Sequence, residues 1–164
     1  MAAVQPTDTI PQAIDKWAAL EMLTQARDDY GLSHRTLGVL RSLMTCLPER
    51  LLTGAVRSAM VFASNATLSK RLNGMPESTL RRHLGALVQA GIVSRHDSAN
   101  RKRFARRTGQ GGQLAFGFDL SPIARMVGAL TRAAEAATAR ANHLAALRAQ
   151  VATTRQQVLQ PQGV

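Results

Sequence analysis

One cysteine, Cys46, stands in 164 residues, so no internal disulfide can form. No apolar run exceeds a few residues, which rules out a transmembrane helix. Met1 to Gln12 is uncharged apart from Asp8 and has no apolar stretch, so it does not read as a signal peptide. Together these absences predict a cytoplasmic protein. Acidic side chains are scarce too, 10 Asp and Glu against 21 Lys and Arg. Asp28-Asp29 is the one adjacent acidic pair and reads as a helix end, since a two-metal nuclease centre needs converging carboxylates. The four histidines, His34, His83, His96 and His143, lack metal-ligand spacing. The glycine-rich stretch Gly109-Gln110-Gly111-Gly112 runs into Gln113-Leu114, not the Lys-Ser/Thr of a phosphate-binding loop. No metal, no cofactor and no enzymatic activity are therefore expected. Aromatic residues make up only 4%, and Trp17, Tyr30, Phe62 and Phe104 read as core or packing residues rather than as base-stacking platforms.

What is present is apolar content and positive charge. Hydrophobic residues reach 45%, enough for a core, and the length suits one domain plus an extension. The formal charge of +11 is uneven: residues 61–108 hold ten basic and two acidic side chains, while residues 1–30 sum to −3. Eighteen of the 21 basic residues are Arg, the side chain suited to bidentate contacts with phosphate and guanine edges; an Arg-rich codon bias would raise the count but not cluster it.

Turn and cap signals divide the chain. Residues 1–14 read as a flexible arm. Asp15 caps a first helix carrying Trp17, Leu20 and Leu23 on one face, ended by Asp28-Asp29-Tyr30-Gly31. Ser33 caps a second, with Leu37, Leu40, Leu43, Met44 and Leu47 as its apolar stripe and Pro48 as its stop. Glu49 to Ala59 lacks periodicity and is expected to be a loop, followed by a short strand at Val61-Phe62. Ser64-Asn65 caps a short helix that Asn73-Gly74 breaks, and Pro76 opens another with Leu80, Leu84, Leu87 and Val88 inward and Gly91 after its end. Ile92-Val93-Ser94-Arg95 and Arg103-Phe104-Ala105-Arg106 are expected to pair as a hairpin around a basic tip. Phe116-Gly117-Phe118 is a third strand candidate. Ser121-Pro122 begins a helix that nothing interrupts until Pro161, with Ile123, Leu130, Ala137, Leu144, Val151 and Val158 at heptad spacing. That repeat reads either as a weak coiled coil or as a solvated Ala-rich helix docking only its first turns.

The helix after Pro76 divides its labour. Opposite its leucines lie Ser78, Arg82, Gly85 and Gln89, with Arg81 on one flank and Thr79 and His83 on the other. Ser78, Thr79, Arg81 and Arg82 thus crowd its N-terminal half, where a recognition helix in a major groove presents side chains to base edges. Arg95, Arg101, Lys102, Arg103, Arg106 and Arg107 put six cations in 13 residues, and Lys70 and Arg71 end the preceding short helix. Lys70, Arg71, Arg95, Arg101, Lys102, Arg103 and Arg106 are the candidates for phosphate or minor-groove contacts.

Several strings carry a family resemblance. Asp15-Lys16-Trp17, Ser64-Asn65-Ala66-Thr67-Leu68-Ser69, the run from Gly74 to Leu84, Ala90-Gly91-Ile92-Val93, the run from Asp97 to Arg106 and Phe116-Gly117-Phe118-Asp119-Leu120-Ser121-Pro122 occur in order over about residues 13–160. They resemble the N-terminal domain of the RepC family, the replication initiators of repABC-type plasmids. The resemblance implies a winged domain that recognises an origin lying inside the initiator's own gene. Members carry a further C-terminal domain, which this sequence does not include, so the resemblance implies DNA binding rather than autonomous initiation. The expected fold class is mainly α with a small β-hairpin wing: a winged helix-turn-helix over residues 15–120, a long Ala-rich helix over 121–160 for dimerisation or linkage, and a tail at 161–164. Expected partners are double-stranded DNA at a plasmid origin, with a second copy and host replication proteins as further candidates and no membrane. Three rival assignments stay open on the residues alone: a winged-helix transcriptional regulator, an adaptor acting through the long helix, and an enzyme such as a nuclease or relaxase.

Overall fold

The computed structural model describes residues 13–98, 104–107, 113–160 and 163, with side chains omitted at 104–107 and 113–116. The chain is mainly helical with small antiparallel sheets. Strand β1 (Ile14–Asp15) leads directly into α1 (Lys16–Gln25) and pairs with β2 (Leu51–Leu52), Ile14 opposite Leu52. The arm expected over residues 1–14 is thus shorter at its inner end, because Ile14 is buried against the core; residues 1–12 lie outside the described set. The loop expected over 49–59 likewise contains β2, a strand too short to carry a periodic signal.

Asp15 caps α1 as expected, accepting from the Trp17 and Ala18 amides at 2.8 and 3.2 Å. Its other carboxylate oxygen accepts from Arg50, the residue before β2. Ser33 caps α2 (His34–Thr45) through the Thr36 amide. Every member of the α2 stripe, Leu37, Leu40, Leu43, Met44 and Leu47, is buried, and α1, α3 (Asn65–Arg71) and α4 (Glu77–Gln89) all pack on this helix. Lys16 closes its far end. The ammonium is buried and donates to the Met44 and Leu47 carbonyls at 2.9 and 2.6 Å, where an α-helix leaves acceptors unpaired and its dipole favours a cation.

The strands depart from the expected hairpin wing. Strand β6 (Gln113–Asp119) lies at the centre: β3 (Met60–Val61) pairs with Phe118 and Asp119, β4 (Ser94–His96) with Gly117 to Asp119, and β5 (Phe104–Arg107) with Gln113 to Phe116. So β4 and β5 take successive stretches of β6 rather than each other. Local alternation marked the segments as strands but could not say that a longer third strand would be the common partner. Gly117 makes this possible: a Cβ there would stand 2.2 Å from the Val61 carbonyl oxygen. Asp119, at the end of β6, is buried and accepts from the Arg57 amide, the Ser121 amide and the Ser121 hydroxyl, which ties the β2–β3 connection to the start of the next helix.

The expected uninterrupted C-terminal helix is two: α5 (Ser121–Arg125) is buried, and Met126, off helical geometry at φ −101°, separates it from α6 (Val127–Leu159). Only Leu130 and Ala134 of α6 are fully buried, against α1. No helix among the described residues is long and apolar enough to cross a membrane.

Replacing Lys16 by Met keeps the packed stem but takes the ammonium from two buried carbonyls, of which that of Met44 keeps the Leu47 amide at 3.2 Å. Urea unfolding should show a loss of about 1–3 kcal/mol; an unchanged midpoint would mean that water serves those carbonyls equally well.

Candidate nucleic-acid interface

Helix α4 is positioned by what it buries. Leu80, Leu84 and Leu87 enter the core, and Gly91, at φ +74°, ends the helix so that Ile92 and Val93 fold back into the same core. His83 is buried as well. Its Nδ1 lies 3.0 Å from the Thr36 hydroxyl on α2, while Nε2 is buried without a hydrogen-bond partner among the described residues. Burial holds its pKa below the usual 6.5, with the nearby positive charges of Arg82 and Arg35 acting in the same direction. Val88, expected inward, is 38% exposed: it sits at the edge of the apolar arc and faces a groove rather than the core.

The outer face carries the residues the sequence singled out. Ser78, Arg81 and Arg82 are exposed and Thr79 is half-buried, all within the first two turns. Two contacts there add to the face that the sequence singled out. Glu77 pairs with Arg81 at 2.9 Å, and accepts from Asn65 of α3 at 3.2 Å, pinning the N-termini of α3 and α4 side by side. The Asn65 hydrogen bond, together with the hydrogen bond and the charge of Arg81, holds its carboxyl below the usual range. The i, i+4 spacing of Glu77 and Arg81 was a legible signal; the Asn65 contact depended on the turn between the helices. That turn is tight. Asn73 and Gly74 take positive φ, and Ser69 donates to the Met75 carbonyl at 2.6 Å.

Around this face the cations are distributed unevenly. Lys70 and Arg71 lie exposed in the last turn of α3. Arg95 is exposed on β4 but paired with Asp97 at 2.7 Å, so its charge is partly answered before any ligand arrives. Arg95 and Arg81 line opposite sides of a groove of about 330 Å³ between α4 and β4, floored by Gly85, Val88 and Gln89. Arg106 falls on β5 by its backbone, its side chain lying outside the described residues, as do Arg101, Lys102 and Arg103. The structure therefore places Ser78, Thr79, Arg81 and Arg82 on the first two turns of one helix, and Arg95 in one groove with Arg81. Among the described residues no group of three or more His, Cys, Asp or Glu could hold a metal ion.

Two of the aromatic residues named above lie outside the core. Trp17 is 36% exposed on α1, its ring flanked by Lys16 and Arg41 at 5.1 and 5.9 Å, and Phe62 is 40% exposed. Neither is core, because each stands next to a buried position: Lys16 is drawn inward by the α2 carbonyls, and Val61 by β6. Tyr30 does pack on the core. Phe104 has no described side chain.

A helix held by α2 and α3, presenting small polar and cationic side chains on its free face, belongs to the class of small helical domains with a basic outer surface. The particular family follows from comparison. The model of the replication protein C N-terminal domain matches residues 1–162, and the chain belongs to that family. Two curated relatives named for replication protein C, from Sinorhizobium fredii and Rhizobium rhizogenes, are each 44% identical over 110 residues. The match covers 66% of this chain but 27% of each relative, so the chain spans only about a quarter of their length. No solved structure matches.

Because His83 is held neutral, its contribution to stability is present above pH 6.5 and is lost as the pH falls through its lower folded value. Lowering the pH from about 7.5 to about 5 should therefore reduce the thermal midpoint of the native chain more than that of His83→Gln. Parallel profiles would remove His83 from the acid response.

Proposed function

We propose that this chain is a double-stranded DNA-binding module of a plasmid replication initiator, with α3 and α4 forming a helix-turn-helix and β4, β5 and β6 its wing. The observation that carries the proposal is the outer face of α4: Ser78, Thr79, Arg81 and Arg82 gathered at its N-terminal half, over a scaffold that buries every leucine of the same helix. Family membership supports the initiator role, and the names of the relatives refer to replication. In this proposal α4 enters the major groove and the four side chains read base edges. Lys70, Arg71, Arg95, Arg101, Lys102, Arg103 and Arg106 meet phosphates or the adjacent minor groove. The module acts by binding and contributes no catalytic group.

The pairing of Glu77 with Arg81 gives the face a division of roles. Arg82 is the cation with no acidic partner among the described residues, so it is available for a bidentate contact with guanine. Arg81 reaches DNA by exchanging its carboxylate for a phosphate or a base, while Glu77 remains tied to Asn65.

Footprinting across a plasmid replication region at two salt concentrations tests the proposal. Arg82→Ala should cost about 1–3 kcal/mol on the specific site and relax preference at one position, whereas Lys70→Ala should weaken all sequences alike and lower the salt slope by about 1. Specific binding untouched by Arg82→Ala would refute the assignment of α4, and a footprint confined to a promoter operator would move the protein to the transcriptional regulators.

Gly85 separates folding from binding. It sits exposed in mid-helix, and a Cβ there would meet nothing within 4 Å. Gly85→Ala should raise stability by about 0.5–1 kcal/mol while weakening duplex binding, because the added methyl intrudes only where DNA approaches. A variant more stable and equally tight would place the DNA away from this face.

A further inference from the structure

Helix α6 is 33 residues long, about 50 Å, and α1, its cover, has 10 residues, about 15 Å. Where they overlap, the contact has a simple chemistry. Leu130 and Ala134 are buried, Thr131 donates to the Met22 sulfur at 3.8 Å, and Arg140 closes the seam on Asp29 at 3.2 Å. Past Arg140 every residue of the helix is exposed, yet the apolar face does not stop. At about 100° per residue, Leu144, Arg148, Val151 and Arg155 fall with Leu130 and Ala134 in an arc of roughly 100°. Leu144 is 51% exposed, Val151 68% and Leu159 69%, with Leu147 and Val158 on the margin. A solvated face has no reason to repeat large aliphatic side chains in line with a buried seam, and contiguous exposed apolar surface of this kind marks an interaction site.

Charge identifies what fits. No acidic residue follows Glu135 on this helix, while Arg140, Arg148 and Arg155 recur along its apolar arc or margin. Arg140 already has its carboxylate, Asp29. Arg148 and Arg155 have none among the described residues. A second copy packed along this same segment would set these two against arginines, and like charges juxtaposed across an interface are destabilising.

We propose that the segment from Leu144 to Leu159 docks an amphipathic helix of a partner protein, whose apolar stripe is edged by Asp or Glu placed to meet Arg148 and Arg155. The partner continues along α6 the pattern that α1 and Asp29 begin: aliphatic contacts in the middle, a carboxylate on each arginine. It also supplies the cover that an isolated helix end of this length lacks in water.

Fluorescence anisotropy with the full chain provides the test. The probe is a labelled helical peptide with leucine at the a and d positions and glutamate at e and g, compared with the same peptide carrying lysine at e and g. The glutamate peptide should bind and the lysine peptide should not. The Arg148→Glu/Arg155→Glu double variant should weaken the first by roughly tenfold or more and admit the second. Val151→Asp should abolish binding of the glutamate peptide while leaving the circular dichroism spectrum unchanged, since its side chain touches no core. Equal affinity for the two peptides would overturn the charge assignment. Self-association of the chain in sedimentation equilibrium, lost in Val151→Asp, would overturn it in favour of a second copy.

Discussion

Everything that faces outward on α4 depends on what that helix buries against α2. Leu80, Leu84 and Leu87 are each worth about 1.5–3 kcal/mol when taken fully out of water, and together they set the rotation of α4 about its own axis. A turn of that rotation by one residue would carry Arg82 toward the core and a leucine into solvent. The His83–Thr36 contact adds direction to a packing that is otherwise non-directional, and the Glu77–Asn65 bond fixes the neighbouring helix end. The candidate interface is thus rigid for reasons that have nothing to do with its ligand.

Helix α2 can serve as this platform because both of its ends are sealed. Ser33 takes an amide at one end and Lys16 two carbonyls at the other. The second cap comes from a distant segment, and it couples α1 to the helix on which α3 and α4 rest. Because α1 is also the cover of α6, the same residue links the candidate DNA-facing helices to the long helix on which we place a protein partner.

Strand β6 plays the corresponding part on the other side. It joins three shorter strands, none long enough to be independently stable. At its end, the buried Asp119 carboxylate turns the chain into α5 by satisfying the Ser121 amide and hydroxyl. The strands gathered on β6 and the exit toward α6 are therefore one unit, and Gly117 is the position where β3 and β6 come too close for any side chain.

The helices, their caps and the apolar face of α4 were legible in the sequence because each is a local matter of periodicity and first-turn chemistry. Ser33, Ser64 and Asp15 could be read as caps, and Ser78, Arg81 and Arg82 as a polar face, without knowing what lay opposite. The family could be read as well, from strings whose order is itself the signal. Pairing was not legible. Two-residue strands such as β1 and β2 carry no period, alternation in β4 and β5 names no partner, and the break at Met126 has neither proline nor glycine to announce it. Lys16 and Trp17 show the limit most plainly: the tryptophan is left outside and the lysine drawn in, against their hydropathy, because two carbonyls at the end of α2 needed a donor. Sequence alone determined which segments form helices and which face of α4 is polar, since those follow from neighbours a few residues away. Tertiary structure decided which strand joins the others, which cations already have carboxylates and which apolar stripe goes uncovered, since those depend on residues that meet only when the chain folds.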